Sequence, residues 1–315
     1  MHPPLTYSHG MIFQFALPLV LCAAAVGADF SGVKVLPHKL VPNWPQLPAE
    51  WNFGEGTGVA VDPKDDSVWV FNRGAHPVLQ FDRGGRMLRE WKDVPVVAAH
   101  GIGVDYDSNV WLVDVKGHGV LKFTPAGRLL MVIAQPYKRP GDNDTEYGFN
   151  EPTGIRFRPD GGFYVSDGYI NQRVVQYTKD GGYVRHWGKK GTGNGEFDIA
   201  HDVAIDKSGK VYVADRTNAR IQIFTAEGKF LGKWDHVGNP WGLWYAQKED
   251  ALYMCDGHAN RVVKLGMDGK ILGAFGSFGK SPGKFDFAHH MAVDSEGSIY
   301  VAEIKNWRVQ KFSAK

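Results

Sequence analysis

The sequence predicts an all-β fold, a six-bladed β-propeller of four-stranded antiparallel blades, and three observations carry that prediction. One unit recurs six times: a short strand opening, an Asp turn, an aromatic-rich strand and a second apolar strand. Its openings lie 40 to 53 residues apart, the length of a four-stranded blade. Thirty-nine glycines and 13% aromatic residues suit many short strands joined by tight turns.

The openings are Thr57-Gly-Val-Ala-Val-Asp62, His100-Gly-Ile-Gly-Val-Asp105, Thr153-Gly-Ile-Arg-Phe-Arg158, His201-Asp-Val-Ala-Ile-Asp206, Trp241-Gly-Leu-Trp-Tyr-Ala246 and His289-His-Met-Ala-Val-Asp294. Second strands follow as Val68-Trp-Val-Phe71, Val110-Trp-Leu-Val113 and their counterparts, and third strands as Val174-Val-Gln-Tyr177, Ile221-Gln-Ile-Phe224 and Val309-Gln-Lys-Phe312. Fourth strands end at Trp91, Trp187 and Trp234. The last unit stops at its third strand, so the segment around Val33 to Leu40 is expected to supply the missing fourth and close the ring without a free edge. The longest insertion, Gln135 to Asn150, is a candidate cover for one mouth of the channel.

The net charge of +2, with no basic run, gives no footprint for nucleic acid or an anionic membrane, and a small partner is expected. Met11 to Val26 is apolar and uncharged and ends in Val26-Gly27-Ala28, which reads as a signal peptide over 1–28. The mature chain, 29–315, is then a single propeller domain, expected as a secreted or periplasmic monomer. No Lys or Arg precedes the apolar run, so an uncleaved anchor or a start at Met11 stays open. Cys22 would leave with the signal, and Cys255, alone, is expected as a buried strand thiol.

In a propeller the first strands line the channel, so equivalent opening positions form a ring. That ring reads Thr57, His100, Thr153, His201, Trp241, His289, with histidine on alternate blades about 120° apart. With twelve histidines in the chain, such alternation arises from composition with odds of roughly 1 in 10,000. Three imidazoles with a further position open to water or substrate is the catalytic pattern for zinc, although iron, cobalt or copper accept the same ligands. Just after the second strand, the register contains Arg73, Tyr169 and Arg216, expected near one mouth. Arg73 and Arg216 lie outside the repeated Asn-x-Arg slot and are candidates to grip a carboxylate. Tyr169 is a candidate base.

The repeat resembles the NHL family, whose Asp and Asn-x-Arg signature recurs as Asp167 with Asn171-Gln-Arg173, Asp215 with Asn218-Ala-Arg220, and Asp256 with Asn260-Arg261. From about Gly58 to Phe312 the chain is also similar to the peptidyl-α-hydroxyglycine α-amidating lyases. The similarity is densest in Phe71-Asn-Arg-Gly74, Val165-Ser-Asp-Gly-Tyr169 and Val213-Ala-Asp-Arg216. That resemblance implies zinc on His100, His201 and His289, a catalytic Tyr169, and active-site arginines at Arg73 and Arg216. It implies cleavage of a peptidyl-α-hydroxyglycine, a peptide C-terminus or small carboxylated substrate, to an amide and glyoxylate. It also implies a structural calcium on the backbone carbonyls of Val59 and Ile102 and on an aspartate whose place His290 takes here. Histidine is a poor calcium ligand, which argues against that ion and for a rearranged inner site. A different α-hydroxy amide or carbinolamide stays open as substrate. A non-enzymatic propeller binding a protein or glycan on its rim is the alternative from fold analogy. A lactonase or esterase of gluconolactonase type is a third, but those channels use carboxylates and asparagines where this one offers histidines.

Overall fold

A computed structural model describes residues 28–314, and the predicted signal peptide lies outside the described residues except for Ala28. The chain forms six four-stranded antiparallel sheets. Their first strands are Gly56–Val61, Ala99–Val104, Gly154–Phe157, Ala200–Ile205, Pro240–Ala246 and Ala288–Val293, and these define blades 1 to 6. In blades 1 to 5 the strands follow one another in chain order. Among the described residues the helical structure amounts to one short turn at Pro136–Lys138.

Closure runs as the sequence predicts. Lys39–Leu40 pairs with Arg308–Ser313 as the outermost strand of blade 6, Leu40 opposite Phe312. The preceding residues do something the repeat did not foretell. Val35 bridges Ala274 on the outer strand of blade 5, with Leu36 N donating to Ala274 O at 3.0 Å and Ala274 N to Lys34 O at 2.9 Å. Leu36 is buried among Tyr253, Phe275 and Phe312, and that apolar anchor turns the segment across two blades.

Inner strands are mostly buried because both faces pack against neighbouring blades, as in Val68–Asn72 and Val78–Phe81, whereas outer strands such as Met87–Trp91 keep exposed positions. Six apolar clusters result, one at each blade interface; Trp69, Phe71 and Trp91 meet Ile102 and Leu112 between blades 1 and 2. Cys255 is fully buried in the cluster between blades 5 and 6, unpaired, and burial pushes its thiol pKa well up.

Asp167, Asp215 and Glu303 each accept a backbone N–H from the loop that leads into the first strand of their own blade. Arg173 Nε holds Asp167 Oδ2 at 2.9 Å, both side chains fully buried, while Asp167 Oδ1 accepts from Asn150 N at 2.9 Å. The same pair recurs at Arg220–Asp215, Arg261–Asp256 and, with glutamate substituting, Arg308–Glu303. The Gln135–Asn150 insertion is tied into this scaffold. Its carbonyls at Gly141, Asn143, Glu146 and Gly148 accept from Asn171, Arg173 and Tyr177 of blade 3, which holds it along that blade.

Candidate metal centre

The opening residues of blades 2, 4 and 6 sit where strand pairing slips. Register shifts fall between Ala99 and Ile102, between Ala200 and Val203, and between Ala288 and His290. A bulge at these points re-aims a side chain that regular pleating would send into a blade interface. His100, His201 and His289 turn onto the axis, where their ligand atoms gather within 4.8 Å of one another and are at most 2% exposed.

The backbone around them fixes which ring nitrogen faces inward. His100 Nδ1 lies 2.7 Å from Thr153 O, His201 Nδ1 2.8 Å from Trp241 O, and His289 Nδ1 2.6 Å from Thr57 O. Those three carbonyls belong to the three opening positions that carry no histidine. A carbonyl only accepts, so each Nδ1 carries the proton and each Nε2 presents a lone pair to the axis. Burial, first of all, pushes all three imidazoles well below the ordinary histidine pKa, and Arg73, Arg216 and the neighbouring rings act in the same direction. The ring is neutral at physiological pH, the state that binds a cation. Three preoriented neutral imidazoles are a donor set that zinc and related ions fit.

Tyr169 and Arg216 complete one wall. Tyr169 Oη lies 3.2 Å from His100 Nε2 and 3.4 Å from His201 Nε2, and Arg216 Nη1 donates to it at 3.2 Å. The Arg216 guanidinium is held between the rings of Tyr169 and Trp241, 5.1 and 4.5 Å from their centroids. Trp241 in turn lies against His201 and His289. Arg73 stands on the opposite side and is already engaged: Nε donates to Ala99 O at 3.0 Å, and Nη1 pairs with Glu55 at 2.6 Å. Beside it opens a cleft lined by Arg73, Val94, Pro95, Val96, Val97 and Ala99.

The structure therefore brings His100, His201, His289, Tyr169 and Arg216 into direct contact and places Arg73 at their edge. Glu55 was missed, since it precedes the repeat unit and nothing in its neighbours marks it. Asp202 and Arg156, directly below the histidines, were missed as well, although a signal existed. At the second opening position four blades carry glycine and only blades 4 and 6 carry side chains, Asp202 and His290.

A six-bladed propeller with a buried three-histidine centre on its axis is the class that fold and site define. The NHL repeat model matches residues 197–224. Human NHL repeat-containing protein 3 is 31% identical over 297 aligned residues, covering 87% of this chain and 84% of that protein, and the chain belongs to the NHL repeat family. Peptidyl-glycine alpha-amidating monooxygenase A of Xenopus laevis is 28% identical over 313 residues, covering 86% of this chain. This chain spans about a third of that larger protein's length, 33%. Peptidyl-alpha-hydroxyglycine alpha-amidating lyase 1 of Drosophila melanogaster is 27% identical over 189 residues, 52% of this chain and 35% of that one. Among solved structures, a streptogramin B lyase superposes with a TM-score of 0.60 at 14% identity, covering 88% of this chain and 96% of that one. A gluconolactonase from Xanthomonas campestris gives 0.61 at 13%, covering 83% and 86%. Likenesses this remote speak for the fold alone.

Proposed function

We propose that the chain is a metal-dependent carbon–nitrogen lyase that cleaves an α-hydroxyglycine-type substrate to an amide and glyoxylate. The observation that carries the reading is the Tyr169 phenol oxygen within 3.2 and 3.4 Å of two inward-facing histidine nitrogens, held there by Arg216. A rim-binding propeller needs neither a proton acceptor nor a guanidinium at the channel axis. The amidating enzymes among the relatives supply the reaction class.

His100, His201 and His289 would hold a zinc ion through Nε2; when bound, it supplies Lewis acidity to an alcohol oxygen. Tyr169 Oη is placed to take the proton of the substrate's α-hydroxyl. As the carbonyl of glyoxylate forms, the C–N bond breaks and its electron pair stays on nitrogen. The proton held by Tyr169 then passes to that nitrogen, so the products are a neutral amide and glyoxylate, and the enzyme is unchanged. Arg216 and Arg73 flank the site and bind the substrate carboxylate, with Arg73 exchanging its Glu55 partner for it. The cleft beside Arg73 would accept the acyl or peptidyl part, and buried Trp241 walls the other side of the histidines.

The test is glyoxylate release from an N-acyl-α-hydroxyglycine by the zinc-supplemented protein. Release above the spontaneous rate that saturates with substrate supports the reading. No release from the N-acyl compound or from a short peptidyl-α-hydroxyglycine counts against it.

A further inference from the structure

Beneath the three histidines the channel holds a second polar layer, and its chemistry differs from that of a calcium site. It is built from the second, third and fourth opening positions. At the second position, Asp202 and His290 are buried side chains facing four glycines. The glycines are needed: a Cβ on Gly154 would lie 2.5 Å from Asp202 Oδ1, and one on Gly242 would lie 2.9 Å from the backbone of His290. At the fourth position blade 3 places Arg156, whose side chain is 16% exposed.

The Arg156 guanidinium reaches across from blade 3 to blade 5. Nη1 donates to Ile155 O at 3.0 Å, and Nη2 donates to Leu243 O at 2.8 Å and to Asp202 Oδ2 at 3.1 Å. Asp202 also accepts from the backbone of Leu243 and Val203, each at 2.9 Å. The Trp244 ring lies 5.2 Å from the guanidinium carbon. One cation is thus held by two third-position carbonyls and one buried carboxylate. Val59 and Ile102, the carbonyls expected to hold calcium, occupy the same third position on blades 1 and 2. The residue expected to supply the carboxylate is His290. Its Nδ1 donates to Thr57 O at 2.8 Å, while Nε2 is buried without a hydrogen-bond partner, 3.9 Å from Asp202. Thr57 O therefore receives two imidazoles, one from each layer, and ties the floor to the histidine ring.

We propose that Arg156, paired with Asp202 and backed by His290, is a built-in replacement for a structural calcium ion, so that this propeller closes its channel floor without one. A dication entering this layer would meet a guanidinium of like charge, and the protonated Nδ1 of His290 is turned to Thr57 as a donor. The pair is also what keeps Asp202 from being a lone buried charge.

Because the experiment reads unfolding and calcium content, it stands apart from the lyase reading. The protein, with its transition metal loaded and calcium removed by dialysis, is titrated with calcium by calorimetry and melted with and without added calcium. The expected result is no stoichiometric calcium and melting midpoints within about 1 °C of each other. One calcium per chain with a midpoint raised by about 5 °C or more overturns the proposal. Arg156→Met tests the pair directly: its midpoint is expected to fall by at least about 5 °C, or the variant to accumulate only as insoluble protein. An Arg156→Met protein that melts with the wild type also overturns the proposal.

Discussion

Tyr169→Phe separates a catalytic from a structural role at the centre. The change deletes one oxygen and its three contacts, 3.2 Å to His100 Nε2, 3.4 Å to His201 Nε2 and 3.2 Å to Arg216. The ring keeps its edge contacts with His100 and His201, centroids 5.3 and 5.7 Å away, and its face toward Arg216. Arg216 also keeps Trp241, so neither wall collapses. The stability cost is that of two part-buried hydrogen bonds, one accepted from Arg216 and one donated to a histidine, about 2 kcal/mol, which moves the melting midpoint by about 4–8 °C. As the group that takes and returns the substrate proton, the phenol accounts for about 10²- to 10⁴-fold in kcat. That range corresponds to about 2.7 to 5.4 kcal/mol of barrier. The assay is glyoxylate release at saturating substrate, with metal content and midpoint measured on the same preparations. A Tyr169→Phe protein that retains metal and turns over within about threefold of wild type refutes the assignment.

Glu55→Gln frees Arg73 from a half-exposed ion pair, so KM for a carboxylated substrate is expected to fall about two- to tenfold with kcat unchanged; a rise in KM contradicts it. Arg173→Met leaves fully buried Asp167 without its cation and is expected to cost about 3–5 kcal/mol, seen as a midpoint lower by at least about 6 °C. An unchanged midpoint would show that the signature pair contributes nothing to the scaffold. The pH dependence follows from the histidine ring, whose folded pKa values lie well below 6.5. Above that value the imidazoles are neutral in both folded and unfolded chains. Below it the unfolded chain takes up protons that the folded ring refuses, so stability falls with pH until the depressed folded values are reached. The loss is up to about 1.4 kcal/mol per histidine per pH unit. Urea midpoints in EDTA are expected to drop between pH 7 and 5.5, and the drop to shrink when all three histidines are alanine. Equal slopes in the two proteins would contradict it.

The propeller was legible because its repeat is one of chemistry as well as length: the same turn aspartate, the same aromatic strand and the same Asp–Arg pair recur, and each has a fixed structural role. The histidine ring was legible for a related reason, since a register shared by six blades converts sequence position into angle about an axis. Contacts between blades that the repeat does not impose were hidden. Glu55 reaches Arg73 from 18 residues away, and no periodicity links them. Arg156 finds its partners 46 and 87 residues on, Asp202 and Leu243, across two blade interfaces. The N-terminal segment was placed correctly at Lys39–Leu40 but not at Val35, because the apolar socket that takes Leu36 is assembled only when blades 5 and 6 close. The insertion after Gln135 reads as a lid by its length, and the sequence does not show that Arg173 ties it to blade 3.

The central claim, that the alternate-blade histidines form one metal centre, is tested most directly by elemental analysis of the purified protein beside the His100→Ala, His201→Ala, His289→Ala triple variant. The account predicts about one zinc per chain in the wild type, and its loss from a triple variant that keeps the wild-type circular dichroism. No stoichiometric transition metal in the wild type after supplementation, or equal content in the two proteins, would contradict it.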